Sequence, residues 1–136
     1  MSEGSPDYLA AFDAASPRLY PGEAEYELER GTWSITLSLP VIDDTVVPEA
    51  IDSSRSLLSR LGALDREAAA WLRAQPGWPY ADDAVLWLLI VEPTNARFCY
   101  RQETANDEQV VGFRREADDW VLTGPDPRFR ASSVSA

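Results

Sequence analysis

The sequence predicts an α+β fold of two layers: an antiparallel sheet, built from an early strand hairpin and a C-terminal meander, covered on one face by a long helix. Three observations predict it. Residues 23–39 alternate polar and apolar side chains; Ile51, Leu58, Leu61, Ala68 and Leu72 fall at helical spacing; and the apolar run Val85 to Val91 precedes further alternating segments. Strands and helices segregated along the chain in this way favour a sheet with its helices on one side.

The elements follow in order. Ser5 as N-cap, Pro6 at the first helical position and Asp7 in the first turn predict a short helix whose Tyr8, Leu9 and Phe12 share a side. Pro17 and Pro21-Gly22 end it, so residues 1–22 read as an N-terminal arm. Glu23, Glu25, Glu27 and Glu29 then alternate with Ala24, Tyr26 and Leu28, the period of a half-exposed strand. Arg30-Gly31 supplies a turn, and Trp33, Ile35, Leu37 and Leu39 alternate with Ser34, Thr36 and Ser38 in a second strand paired to the first.

Pro40 stops that strand, and Pro48-Glu49 opens a helix expected to run to about Ala74. Gly62 within it, with Asp65 as a possible cap beyond, makes a kink or a division into two helices the rival reading. Residues 75–79, Gln-Pro-Gly-Trp-Pro, break the pattern. The run Val85 to Val91 suits a central strand buried on both faces; periodicity alone does not separate this from a short buried helix, and its length favours the strand. Phe98 and Tyr100, then Val110, Val111 and Phe113, then Trp120 to Thr123 mark the closing antiparallel strands. Residues 1–124 are thus expected to form one domain, and 125–136, rich in Ser and Ala, a disordered tail.

Charge and composition narrow the function. The 136 residues carry 23 acidic against 12 basic side chains, a formal net charge of −11, and every basic residue is Arg. With neither Lys nor His, Schiff-base lysines, imidazole general bases and His metal ligands are excluded. So acidic a chain repels phosphate backbones and anionic lipid, and speeds encounter with cationic proteins. Nucleic acid and membrane are therefore not expected as partners, whereas a basic protein is. The single Cys99 permits no internal disulfide, and the first eight residues lack the basic and apolar regions of a secretory leader, so a cytoplasmic location is expected.

Few residues are candidates for chemistry. Asp43-Asp44, Asp82-Asp83 and Asp118-Asp119 lie between predicted elements; paired carboxylates can ligate divalent cations, but Asp is also favoured in turns, where it bonds nearby backbone N–H groups. Cys99, flanked on its strand face by Arg97 and Arg101, reads as an inert small strand residue. No Gly-rich phosphate loop is present. No catalytic residue, metal site or cofactor is expected. Trp78 and Tyr80 beside Asp82-Asp83, and Trp120 after Asp118-Asp119, set aromatics in an acidic rim, the composition of a binding hot spot, although such aromatics also anchor loops to a core. The expected partner-binding set is Glu23, Glu25, Glu27, Glu29, Trp78, Tyr80, Asp82, Asp83, Asp118, Asp119 and Trp120.

The stretch from Ala50 through Leu72, with Leu57-Leu58, Leu61-Gly62-Ala63-Leu64-Asp65 and Ala68 to Leu72, followed by Leu88 to Tyr100, resembles the small bacterial DUF2262-type domains. The resemblance covers roughly residues 23–123. It implies a strand pair, a long helix and a strand meander, and a place among the candidate immunity proteins of polymorphic toxin systems. The chain lacks the polar, Gly- and Asp-rich end associated with that family, so no functional residue carries over.

The leading expectation is an acidic cytoplasmic protein-binding domain, an immunity protein neutralising a basic toxin or another cationic partner. Two alternatives stand beside it. One is a metal-dependent hydrolase or transferase built on the Asp-Asp turns; the other is a structural or adaptor subunit that self-associates through a free edge of the meander.

Overall fold

The structure, a computed structural model, describes residues 8–30, 33–75, 84–102 and 107–125. Among the described residues, eight strands and three helices form a mixed α+β fold. The order is α1 (Tyr8–Ala14), β1 (Arg18–Tyr20), β2 (Glu23–Arg30), β3 (Trp33–Ile42), β4 (Thr45–Val46), α2 (Pro48–Leu58), α3 (Leu61–Arg73), β5 (Ala84–Val91), β6 (Asn95–Gln102), β7 (Asp107–Glu116) and β8 (Asp119–Pro125). Seven strands lie in the order β1-β2-β3-β5-β6-β7-β8, and β4 folds onto the end of β3.

The expected hairpin and meander are both present, but the joint between them differs from an all-antiparallel sheet. β3 and β5 run parallel, with Thr36 beside Leu88, Leu37 beside Leu89 and Ser38 beside Ile90. Parallel neighbours require a long crossover, which α2 and α3 provide. All other pairs are antiparallel. The apolar run occupies the middle strand of the seven, but it is not buried on both faces: Leu86, Leu89 and Val91 are buried, whereas Leu88 and Ile90 are half-buried.

The single long helix is two helices, and the division falls before Gly62. Ser59 ends α2 by donating its hydroxyl to the Ser56 carbonyl at 2.7 Å, and Arg60 leaves the helical region at φ −121°, ψ 12°. Gly62 sits in the first turn of α3, and Asp65 caps nothing. Instead its carboxylate accepts a hydrogen bond of 2.5 Å from the Tyr100 hydroxyl, tying α3 to β6. At the start of α2, Pro48 takes an early position where its missing N–H is harmless.

Alternation along the strands assigns the two sheet faces. Ala24, Tyr26, Leu28, Ile35, Leu37, Leu39, Leu89, Val91, Phe98, Tyr100, Val111, Phe113 and Trp120 are buried on the helix face. They meet Ala50, Leu57 and Leu58 of α2 and Leu61, Leu64, Ala68 and Leu72 of α3. α1 adds Tyr8 and Phe12, and the Phe12 ring stands edge-on to Tyr26 with centroids 5.0 Å apart. Buried Ser53 links the layers further: its hydroxyl donates to the Pro93 carbonyl at 2.6 Å and accepts from Arg115 Nη1 at 2.8 Å.

Candidate functional site

The face opposite the helices holds the groups not consumed by packing. On β2 the side chains of Glu23, Glu25, Glu27 and Glu29 project there, because Ala24, Tyr26 and Leu28 fill the other side. Glu27 and Glu29 are exposed, while Glu23 and Glu25 are half-buried. Neighbours in such a row lie about 6.8 Å apart, a like-charge repulsion of about 0.6 kcal/mol per pair at water's dielectric before salt screens it.

β3 holds the row in place. Its register sets Ser34 beside Glu29, Thr36 beside Glu27 and Ser38 beside Glu25. The Glu27 carboxylate accepts from Ser34 at 3.1 Å and from Thr36 at 2.8 Å; that of Glu23 accepts from Ser38 at 2.6 Å. At the outer edge Arg18 of β1 stands across from Glu25, and Tyr20 across from Glu23. The Arg18 guanidinium is held above its ordinary value by Tyr20 first, then by Glu25 and Glu27. Toward the middle of the sheet the same face turns apolar at half-buried Leu88 and Ile90. Beyond them it carries Arg97, Cys99 and Arg101, the last stacked over Trp87 with its guanidinium carbon 5.7 Å from the ring centroid. The face therefore grades from acid and hydroxyl through aliphatic to arginine.

Hairpin register could have revealed Ser34, Thr36 and Ser38 as companions of the glutamates, since they alternate with the buried residues of β3. Arg18 and Tyr20 left no such signal. Three exposed residues between two prolines are too few to show a period.

Of the other expected binding residues, Asp118, Asp119 and Trp120 are not brought to this row. Asp118 and Asp119 belong to the β7–β8 turn, four to five strand positions from β2, or roughly 19–24 Å across the sheet. Asp119 pairs with Arg60 at the start of α3, and Asp118 lies 3.7 Å from Arg115. Trp120 is a core anchor and not an exposed contact: it is 6% exposed on the helix face, and its indole N–H donates to Ser56 Oγ at 3.2 Å. Trp78, Tyr80, Asp82 and Asp83 lie outside the described residues.

The remaining described carboxylate pair, Asp43-Asp44, serves the backbone. Asp43 and Asp44 adopt φ of 54° and 62°, the paired left-handed conformation of a tight hairpin joining β3 to β4. Among the described residues, no group of three or more His, Cys, Asp or Glu is placed to hold a metal ion. Cys99 is buried at 4% exposure. Among the described residues no helix is long and apolar enough to cross a membrane.

Chemically, carboxylates and hydroxyls fixed in a row can receive guanidinium or ammonium groups through charge-assisted hydrogen bonds. Comparison with family models, curated proteins and solved structures returns no match to this chain. Its fold and surface define it at the level of an acidic α+β sandwich with one sheet face free of helices among the described residues.

Proposed function

We propose that this chain is a protein-binding domain for a cationic partner, acting as an immunity protein that masks a basic toxin domain in the cytoplasm. The observation that supports it most is the row Glu23, Glu25, Glu27 and Glu29, which shares one face with the hydroxyls that orient Glu23 and Glu27. Four carboxylates held together against their own repulsion are worth more when positive charge is brought to them. The net charge of −11 extends that attraction beyond contact and speeds encounter. The absence of His and Lys from the chain favours binding over catalysis.

The experiment is affinity capture from extract of the encoding organism, with the product of the neighbouring coding sequence as first candidate. Wild type is compared with a variant carrying Glu→Gln at positions 23, 25, 27 and 29, its fold verified by circular dichroism. The expected result is a basic protein retained by wild type, released by moderate salt and lost by the variant. Equal retention by the variant, or capture of a partner with no basic surface, contradicts the proposal.

A further inference from the structure

The outer edge of β2 is only partly covered. β1 pairs with it from Tyr20 beside Glu23 to Arg18 beside Glu25 and stops there. β2 continues to Arg30, held along its inner edge by β3 for the full length. Among the described residues no strand pairs with the outer side of Tyr26 to Glu29. An unpaired edge presents backbone N–H and C=O groups ready to accept another strand. Where β1 ends, a surface cavity of about 190 Å³ opens, lined by Ala15, Ser16, Arg18, Glu25 and Glu27.

β1 itself shows which side chains suit this edge. Arg18 faces Glu25 across the ladder, on the helix-free face. Past Arg18, Glu27 and Glu29 repeat the position of Glu25 at the two-residue period of the strand, and no basic residue of a neighbouring outer strand stands across from them among the described residues. The period of the vacancy is that of an extended chain, whose alternate side chains lie on one face about 6.8 Å apart.

We infer that the open part of the β2 edge receives an extended segment of the cationic partner, aligned with β1, which pairs backbone to backbone and sets Arg or Lys at alternate positions across from Glu27 and Glu29. In this mode main-chain hydrogen bonds supply affinity, and the alternating side chains supply specificity. The inference rests on the reading of the glutamate row as a partner-binding surface, and adds to it how the partner is held.

The test uses the whole chain and an eight-residue synthetic peptide alternating Arg and Thr, followed by fluorescence anisotropy at low salt. Two further versions are N-methylated, one at every Arg amide and one at every Thr amide, so that each loses the donors of one strand edge while keeping its charge. The parent peptide is expected to bind wild type, to weaken about tenfold when its pairing edge is methylated, and to weaken by a similar factor against E27Q/E29Q. Equal binding of all three peptides would overturn the edge pairing and leave the acidic surface standing as an electrostatic site. Failure of the parent to bind, while a basic protein is still captured through the glutamate row, overturns the edge pairing alone. Failure of both removes the partner-binding reading as well.

Discussion

Tyr100 shows how a single residue secures the two layers. Its ring is buried at 2% exposure in the sheet core, and its hydroxyl reaches Asp65 of α3. Burial first, and then the charge and hydrogen bond of Asp65, raise the phenol above its ordinary value of 10.0. The folded state therefore holds this proton more tightly than the unfolded chain does. The stabilisation is complete below about pH 10 and is lost as pH rises beyond it. Tyr100→Phe should lower stability by about 1–2 kcal/mol at neutral pH, because a charge-assisted hydrogen bond is removed. The variant should also show a shallower loss of stability above pH 10, with a residual slope from Tyr26, whose phenol burial also raises. Urea midpoints measured across pH check both; an unchanged alkaline slope contradicts the assignment. Nothing in the sequence pairs Asp65 with Tyr100, 35 positions apart, because the contact depends on the angle at which α3 crosses β6. Trp120 was misleading for a related reason: its acidic neighbours suggest a rim, but strand alternation beside Arg115 turns its ring toward Ser56.

Elements were legible wherever a period was long enough to count. β2 and β3 emerge from residues 23–39 because one face is apolar and the other polar, and β5 emerges from its aliphatic run. Other features escaped: Pro40, expected to stop the second strand, lies inside β3, which runs on to Ile42 and pairs there with β4. β1 is too short to show alternation, and the parallel pairing of β3 with β5 is a tertiary choice made by the crossover, not by either strand's own pattern. A division into two helices was legible as the rival reading, but its place was not: it falls at Ser59–Arg60, where a hydroxyl bonds back to the preceding turn, and not at Gly62. The two glycines tested at element scale should behave oppositely. Gly62 is exposed in α3, and an added Cβ would find only Arg66 Nη1 at 3.7 Å, so Gly62→Ala should stabilise by about 0.5–1 kcal/mol. Gly124 in β8 holds φ +99°, which L side chains rarely adopt, so Gly124→Ala should destabilise by about 1–3 kcal/mol. Thermal unfolding of the pair reads the two signs directly; a destabilised Gly62→Ala would mean that α3 begins later than described.

For the whole molecule, acidity has one proposed binding location and one general effect. The general effect is self-repulsion from a net charge of −11, which modest salt screens. The melting temperature should therefore rise between about 10 mM and 300 mM NaCl, and a fall would show that attractive ion pairs such as Arg60–Asp119 outweigh the repulsion. The location is the helix-free face of β2 and β3. Of the residues expected from the sequence to bind a partner, the glutamates share that face because a strand's period settles which side they take. Asp118 and Asp119 are carried to the far side by strand order, which no local pattern encodes. At 15.1 kDa the chain suits residue-resolved NMR, and the most direct measurement is a titration of the isotope-labelled protein with its captured basic partner. The account predicts shift changes clustered on Glu23 to Glu29, Ser34 to Ser38 and the flanking Leu88 and Ile90. Changes clustered instead on the outer surfaces of α2 and α3, with the glutamate row unmoved, would contradict it.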